Sequence, residues 1–305
     1  MEPLRIGYFN AQGINDIEHW FKLEIDELRR RNVNIRVYSL RNSHPTGSDI
    51  RWMDFAHYHY SHVANYFKRS GVPFCISPHT NDVFPDNGRT LLNASKHPNC
   101  KFVTYQSFYH KKFFEEIGID KPLVYLPMCV RTELFKRSHP IPREGGVLAG
   151  GRLIPRKGLD RIIHLNNLTI FGDGPLKSQL QSRNSNVKFV GHKSGEDLRD
   201  LYEENSIYLF PARIVEDGNR DGIPNTVKEA MLMELQVIAS PITGIKELEN
   251  VMFLKDWSKI EDVINDISKE PNWKGRQEIL KTYSPDVCVN MLLKAIEEYG
   301  QIKQR

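Results

Sequence analysis

Two short segments combine charged side chains with glycine and proline in patterns that suit a phosphorylated ligand. In GGRLIPRKG, the cations Arg152 and Lys157 stand at a predicted helix entry, after a strand that ends in glycines. In DGIPNTVKE, the acids Asp221 and Glu229 bracket a Gly and Pro224. Pro at a first helical position suits a strand-to-helix turn whose backbone N–H groups point outward to phosphates or sugar hydroxyls. A pair of cations can neutralise the charge that builds on a departing diphosphate.

With these segments the chain resembles the retaining GT-B glycosyltransferases of family four, the glycosyl transferases group 1. The family pattern of G-R-L, three residues and K-G is matched without a gap from Gly151 to Gly158. The resemblance implies that Arg152 and Lys157 bind the diphosphate of a nucleoside-diphosphate sugar and that Glu229 binds its ribose diol. It also implies that Asp221 binds hydroxyls of the donor sugar, although the family usually has glutamate at this position.

The resemblance also implies which other residues bind the donor. FGDGP at 171–175 corresponds to the family's loop beside the nucleotide, and VKFVGH at 187–192 to the segment that borders the base. The turn after Asp221 supplies amides to sugar or phosphate. The predicted donor-binding residues in addition to Arg152, Lys157, Asp221 and Glu229 are Gly13, Gly151, Gly172, Gly174, Gly191, His192, Gly222, Ile223, Pro224 and Asn225.

The first half of the chain matches the family less closely. SPHTND at 77–82 resembles the family's strand-end histidine, which implies that His79 faces the donor sugar across a cleft. Histidine can donate to a hydroxyl or pass a proton near neutral pH. Gly13 would be the family's glycine near the phosphates, although NAQGIND is poor in glycine. The predicted catalytic residues are therefore His79, Arg152, Lys157, Asp221 and Glu229.

Several of these residues also have purely structural interpretations. Arg152 and Lys157 could be exposed charges at a helix entry, Asp221 could cap the helix, and a strand-end histidine such as His79 is more often structural. A lone GxG is more often an ordinary tight turn. The motif HYHYSH, with histidines at 57, 59 and 62, has metal-ligating side chains, but no acid or cysteine stands at suitable spacing and an alternating strand end explains it equally. We expect no metal and no cofactor, with the nucleotide sugar as a substrate.

Short apolar runs alternate with helical patterns, which is typical of βαβ units and parallel sheets. The predicted strands are 5–9, 34–40, 73–77, 101–105 and 123–127, then 147–151, 168–171, 187–190, 207–210 and 237–240. The predicted helices lie within 17–31, 159–165, 176–183, 196–203, 225–234 and 285–299. This α/β pattern and the resemblance imply a GT-B fold, with two Rossmann-like β/α/β domains facing across a cleft.

The expected domain boundaries follow from the predicted linker and elements, and the resemblance implies the role of each domain. Residues 1–140 form a short acceptor-binding domain, 141–285 form the nucleotide-sugar domain, and 286–305 form a helix that in the GT-B fold crosses back to the first domain. KRSHPIPREGG at 136–146, with two prolines and little periodicity, is predicted to be the linker. The four cysteines never form a CxxC pair, which indicates buried thiols and no disulfide framework.

Charge and hydropathy bound the location and the partners. Residues 1–140 hold 19 Lys and Arg against 14 Asp and Glu, whereas the rest of the chain is nearly balanced. A basic first half suits a phosphorylated acceptor or an anionic membrane surface, although chance asymmetry explains so small an excess equally well. No apolar run is long enough to span a bilayer and no signal peptide is evident, so we expect a cytoplasmic protein, peripheral at the membrane at most.

The predicted function is transfer of a hexose-type sugar from a UDP- or GDP-linked donor to a hydroxyl of a glycan, glycolipid or protein. The sugar, the base and the linkage are left open by the sequence. One alternative is a catalytically silent nucleotide-sugar-binding subunit of a glycan-synthesis assembly, suggested by the short first domain and by Asp221. Another is a glycosyltransferase acting on nucleic acid, suggested by the basic half, although no aromatic-interleaved basic stripe supports it.

Overall fold

The chain folds into two compact units, each built on a parallel sheet of six strands. The structure, a computed structural model, describes residues 2–11, 19–39, 43–67, 71–79, 83, 86–142, 145–215 and 222–302. Unit 1 consists of Met1–Cys129 and Tyr283–Arg305, and unit 2 of Val130–Thr282. No helix within the described ranges combines the length and the apolar character that crossing a membrane requires.

Unit 1 alternates strands and helices from its start. Its elements are β1 (Arg5–Asn10), α1 (His19–Arg30), β2 (Asn34–Ser39), α2 (Gly47–Trp52), β3 (Phe55–His59), α3 (Ser61–Phe67), β4 (Phe74–Ser77), α4 (Arg89–Ser95), β5 (Cys100–Tyr105), α5 (Phe108–Glu116) and β6 (Leu123–Tyr125). The strand order is β2-β1-β3-β4-β5-β6, with every pair parallel. Helices on both faces bury apolar side chains against the sheet, as in other doubly wound folds.

Unit 2 has the strand order β12-β11-β10-β7-β8-β9, also with parallel pairs. Its elements are β7 (Gly146–Gly150), β8 (Leu168–Phe171), α6 (Lys177–Gln181), β9 (Lys188–Gly191), α7 (Gly195–Glu203), β10 (Asn205–Phe210), α8 (Asn225–Leu232), β11 (Gln236–Ala239), β12 (Met252–Phe253), α9 (Ile260–Asp266) and α10 (Trp273–Tyr283). The order reverses between β7 and β10. In such sheets this switch point is where the strand ends splay and leave a crevice for ligands.

The last helix, α11 (Pro285–Tyr299), packs within unit 1. Its buried side chains Val289 and Leu292 join the core that contains Ile6 and Phe55 of the sheet. The guanidinium of Arg31, just after α1, donates to the carbonyl oxygen of Asp286 at 3.1 Å. Helix α11 is therefore part of the core of unit 1.

The unit boundaries differ from those expected at 140/141 and 285/286. The segment after residue 129 belongs to unit 2 because its side chains pack there: the ring of Phe135 meets that of Tyr202 edge-on, with centroids 5.8 Å apart. Arg137 donates to the carbonyl oxygen of Glu203 at 2.9 Å, and the Glu203 carboxylate accepts from the backbone N–H of Ser138 at 2.6 Å. The first part of the predicted linker is thus packed against unit 2.

Two other local predictions are wrong. Residues 159–165 do not form an α-helix: 3-10 turns at Pro155–Lys157 and Leu159–Arg161 replace it, because the N–H groups of this segment bond to carbonyls three residues back. Pro224 is the N-cap of α8 and not its first residue, since its ψ of 144° is extended. The strands β3 and β12 are additional to the predicted set.

Candidate functional site

The predicted cations lie at the carboxyl end of β7, beside the switch point of unit 2. The backbone N–H of Arg213, just after β10, donates to the carbonyl oxygen of Arg156 at 2.8 Å. Gly158 has a φ of +65°, and a Cβ there would lie 2.1 Å from the carbonyl oxygen of Pro211. The loop after β7 is thus pressed against the end of β10. Its position is fixed by backbone contacts before any ligand arrives.

Glycines also bring the loops after β7 and β8 into backbone contact. Gly172 has a φ of +110°, and a Cβ there would lie 1.8 Å from the carbonyl oxygen of Gly151. A Cβ on Gly174 would lie 2.6 Å from the carbonyl oxygen of Leu153. Loop packing therefore explains Gly172 and Gly174 without a ligand. Gly151 differs, because the nearest atom to a Cβ there is Cε of Lys157, at 3.8 Å.

Lys157 is an unusually buried cation at the end of the first 3-10 turn. Only 9% of the residue is exposed, and its Nζ lies 5.2 Å from the centre of the Phe210 ring. A cation over an aromatic face is attracted to the ring's quadrupole. The ring at the end of β10 therefore helps to hold the ammonium group in place at the switch point.

Arg152 contrasts with Lys157, because its side chain is exposed. Among the described residues no carboxylate forms an ion pair with it, and only its carbonyl oxygen is engaged, by the N–H of Ile154 at 2.9 Å. The guanidinium is therefore available to a ligand in solution. The side chain is exposed, as one interpretation of the sequence holds, and that exposure also fits a ligand contact.

Helix α8 begins with polar groups that have no partner in the described part of the chain. Its N-cap, Pro224, has no side chain that could accept a hydrogen bond. The N–H groups of Val227 and Lys228 share the Pro224 carbonyl oxygen, at 3.2 and 3.3 Å. Oδ1 of Asn225 and Oγ1 of Thr226 are buried, and neither finds a hydrogen-bond partner there. Such a helix start has the N–H groups and the dipole that favour an anion.

Glu229 is the fifth residue of α8 and is half-buried. Burial raises the pKa of its carboxyl group to about 7. The hydrogen bond from Tyr202 and the charges of Lys228 and Arg131 oppose that shift. The carboxyl group is therefore held in a partly desolvated position, where its ionised form can accept hydrogen bonds at both oxygens.

Tyr202, on α7, is a site residue that the sequence did not indicate. Its hydroxyl lies 3.1 Å from the carbonyl oxygen of Thr226 and 3.3 Å from Oε2 of Glu229. Burial, followed by the charge of Glu229, raises the pKa of Tyr202 well above its usual value, so the hydroxyl remains a donor. The apolar periodicity of Leu198 and Leu201, which are also buried, is the signal that could have placed this ring on the inward face of α7.

The loops after β8 and β9 meet through their backbones. The N–H of Gly172 donates to the carbonyl oxygen of Gly191 at 2.7 Å. Gly191 has a φ of +72°, and nothing would lie within 4 Å of a Cβ there, while His192 beside it is exposed. Asp173 accepts from the N–H of Gly174 at 2.8 Å, which lowers the pKa of its carboxyl group. Both Gly191 and His192 thus face open space.

His79 follows β4 in unit 1 and is 8% exposed. Its Nδ1 lies 2.9 Å from the side-chain amide of Gln106, and its Nε2 lies 3.4 Å from Nδ1 of His59. Burial, then the charges of His57 and His79, lowers the pKa of His59 well below its usual value. Both ring nitrogens of His79 face protein groups, which fits the structural alternative. Its role toward a donor sugar stays a prediction.

Two predicted residues, Gly13 and Asp221, lie outside the described residues. Of the others, the structure places Gly151, Arg152, Lys157, Gly172 and Gly174 in the loops after β7 and β8. It places Gly191 and His192 at the end of β9, and the segment 222–229 at the start of α8.

Comparison with known proteins connects this geometry to a family. Residues 148–269 match the family model described as glycosyl transferases group 1. Over 118 residues the chain is 33% identical to the amylovoran biosynthesis glycosyltransferase AmsK of Erwinia amylovora. That alignment covers 33% of this chain and 29% of AmsK, so it spans less than a third of the curated relative.

Solved structures resemble the chain over nearly its whole length. HepE of Anabaena, in complex with UDP, aligns with a TM-score of 0.74 at 14% identity, covering 97% of this chain and 100% of that one. A glycosyltransferase from Rickettsia africae aligns with a TM-score of 0.75 at 14% identity, covering 99% and 100%. These likenesses establish a GT-B fold of two Rossmann-like units. Residues 148–269, which lie in unit 2, carry the similarity to the glycosyl transferases group 1 family.

Proposed function

We propose that the protein is a glycosyltransferase that moves a hexose-type sugar from a nucleoside-diphosphate sugar to an acceptor hydroxyl. The observation that carries the proposal is the loop after β7, which fixes the nearly buried Lys157 at the switch point of a Rossmann-like sheet. A positive group placed there before the ligand arrives can stabilise charge on a leaving diphosphate without having to reorganise.

Arg152 and Lys157 divide the phosphate binding between them. The ammonium of Lys157 is held against Phe210, so it meets the diphosphate as a fixed point charge. The exposed guanidinium of Arg152 has N–H donors along its edges and can bind the phosphate oxygens when the donor arrives. The N–H groups that begin α8 add a third positive element.

Glu229 is proposed to bind the ribose of the donor. Its carboxylate, with Tyr202 donating to one oxygen, can accept two hydrogen bonds from adjacent hydroxyls. Asp221 is proposed to bind the hydroxyls of the transferred sugar, and the amides of 222–225 to contact sugar or phosphate. Gly191 and His192 face open space and are proposed to border the base.

In the proposed reaction the acceptor hydroxyl attacks the anomeric carbon on the face from which the diphosphate departs. The configuration at that carbon is then retained, and the proton of the acceptor passes to the leaving phosphate. The cations and the start of α8 stabilise the negative charge of the leaving group, so the donor site is proposed to work without a metal ion. His79 is proposed to contact the donor sugar.

The relatives support a nucleotide-sugar substrate and a role in glycan synthesis. HepE was solved with UDP and also with UDP-glucose, and AmsK is named for amylovoran biosynthesis. The HepE complexes favour UDP over GDP as the first base to test. AmsK favours a glycan as the acceptor.

Thermal unfolding with UDP, GDP, ADP and CDP, each with and without magnesium, tests the proposal. A ligand that binds only the native state raises its apparent stability, so one nucleotide should raise the Tm by several degrees. We expect the shift to be independent of magnesium. Arg152→Ala should lose most of it, whereas Arg183→Ala, which removes an exposed arginine elsewhere in unit 2, should keep it in full.

Two outcomes would contradict the assignment. The first is the absence of a Tm shift with every nucleotide at millimolar concentration, which would mean that the chain by itself has no competent donor site. The second is a full shift in Arg152→Ala, which would remove that residue from the phosphate site while leaving the function open to test with the sugar nucleotides.

A further inference from the structure

A buried group of metal-ligating side chains lies in unit 1. Glu24 comes from α1, and His57 and His59 come from β3, where side chains two residues apart share one face of the sheet. One ligand atom from each residue lies within 4.8 Å of the other two. Their exposed fractions are 6%, 0% and 1%. The group therefore combines the donor types of a metal site with near-complete exclusion of solvent.

The distances suit a small divalent ion. Nδ1 of His57 lies 3.2 Å from Oε1 of Glu24. Ligand atoms bound about 2.1 Å from a tetrahedral zinc ion lie roughly 3.4 Å from one another. Although the two atoms are this close, neither has a hydrogen-bond partner of acceptable geometry among the described residues. An ion between them would satisfy both.

The ring of His57 is oriented as a metal ligand would be. Its second nitrogen, Nε2, lies 2.7 Å from the hydroxyl of Ser77, on β4. The hydroxyl of Thr104, on β5, donates to the same Ser77 oxygen at 2.7 Å. Histidines that bind metal through one nitrogen almost always donate the other N–H to a fixed partner, which sets the tautomer and the ring orientation. Ser77, held by Thr104, is such a partner.

His59 has an outer partner of the same kind. Its Nδ1 lies 3.4 Å from Nε2 of His79, whose own Nδ1 lies 2.9 Å from the Gln106 amide. With Nδ1 directed at His79, the His59 ring would bind the ion through Nε2. The contact between His59 and His79 would then connect the metal site to His79 through the His59 ring alone.

Glu24 is buried, so a cation close to its carboxylate would be stabilising. The rings of Tyr8 and Phe21 lie over His59, with centroids 4.5 and 4.3 Å from it, and close the group off from solvent. No lysine or arginine in the described ranges forms an ion pair with Glu24. A carboxylate in such a dry place is costly unless a cation compensates it. A divalent ion would do so while binding both histidines.

We propose that Glu24, His57 and His59 bind a divalent transition ion, zinc being the best fit to two imidazole nitrogens and one carboxylate oxygen. The ion would tie α1 to β3 in the core of unit 1. Its three ligands are separate from the proposed donor site in unit 2, which is proposed to need no metal.

Metal content is the decisive measurement. The full chain is produced in zinc-supplemented medium with a cleavable tag that contains no histidine, and its transition metals are measured by mass spectrometry after extensive dialysis. We expect about one zinc ion per chain. Glu24→Gln, which keeps the size of the side chain and removes its charge, and His57→Ala should each lose most of it. His62→Ala, in the same HYHYSH motif but exposed, should keep it.

A second readout keeps the test independent of how well the variants fold. Wild-type protein refolded from denaturant with zinc should have a higher Tm than the same protein refolded with a chelator, because an ion that binds only the native state stabilises it. Wild-type protein that is free of first-row transition metals and shows the same Tm in both refolding reactions would overturn the proposal. Full zinc content in Glu24→Gln and His57→Ala alike would also overturn it.

Discussion

Unit 1 and unit 2 place their ionisable groups in opposite ways. In unit 2 the candidate groups stand on the loop after β7 and at the start of α8, with Arg152 exposed and Glu229 half-buried. In unit 1 the polar groups Glu24, His57 and His59 lie inside the core, on a helix and a strand. The arrangement in unit 2 leaves the Arg152 charge accessible to a ligand, whereas in unit 1 the polar groups contact one another inside the core.

The difference shows which part of each unit is rigid before a ligand binds. In unit 2 rigidity comes from the backbone: Gly172 packs on the carbonyl of Gly151, and the loop after β7 bonds to the end of β10. The loop backbone is therefore set before a substrate arrives. In unit 1 rigidity comes from the side chains themselves, through the bonds of Ser77 to His57 and Thr104. Substitutions should therefore affect mainly reaction in unit 2 and mainly stability in unit 1.

The largest effect is expected for Lys157→Met. Methionine keeps the packing against Phe210 but removes the charge that is proposed to meet the diphosphate. Loss of one preorganised group of this kind lowers kcat by about 10²- to 10³-fold. The free energy of unfolding should change by less than about 1.5 kcal/mol, because the volume is nearly conserved. Steady-state turnover and urea unfolding measure the two effects.

Arg183→Met is the matched control for Lys157→Met, since it removes an exposed cation of the same unit. Its turnover should equal that of wild type. If Lys157→Met kept turnover within threefold of wild type, or unfolded at much lower urea, the lysine would be a structural residue and the contrast between the units would fail.

The effect of Glu229→Gln on the free energy of unfolding should depend on pH. The pKa of Glu229 is about 7 in the folded protein against 4.5 ordinarily, so the native state binds more protons than the unfolded state between those values. The wild-type free energy of unfolding should therefore fall, relative to Glu229→Gln, as pH rises from about 4.5 to 7. With solvent screening of this half-buried group, the difference above pH 7 is on the order of 2 kcal/mol in favour of the variant.

Nucleotide binding should show the opposite dependence. Because only the ionised carboxylate accepts two hydrogen bonds from a diol, wild-type affinity should rise as pH increases through about 7, and Glu229→Gln should bind weakly at every pH. Urea unfolding and calorimetric titration between pH 5 and 9 separate the two effects. A variant with wild-type affinity at pH 8 would remove Glu229 from the donor site.

Much of the fold was predictable because its signals are local. The apolar run at 73–77 predicts β4, and the periodicity at 285–299 matches α11. β3 is harder to predict. Its sequence, with His57 and His59, is typical of a half-exposed strand, although all five of its residues are buried. Their burial depends on Glu24, from a helix that precedes β3 by more than twenty residues, and on Ser77 from the next strand. The spacing of these residues along the sequence does not predict that cluster.

In the candidate site, too, some features can be predicted from the sequence and others depend on tertiary packing. The pattern that places Arg152 and Lys157 in one loop is continuous in sequence, so it could be recognised without a structure. The bond from Tyr202 to Glu229 and the raised pKa of that carboxyl group arise from the packing of α7 against α8. The reason for Gly172 is also tertiary, since it depends on a carbonyl of the neighbouring loop.

The smallest expected effect is that of Thr104→Val in the buried cluster of unit 1. Thr104 is 1% exposed and donates to Ser77 at 2.7 Å, and valine has the same shape without the hydroxyl. Loss of this bond should lower the free energy of unfolding by about 1 kcal/mol while turnover stays within twofold of wild type. Thr169→Val on β8, a half-buried threonine with no side-chain hydrogen bond among the described residues, is the control and should be neutral. Unchanged stability with a tenfold loss of turnover would show that the unit 1 cluster acts on the reaction, and the two units would then differ less than their burial indicates.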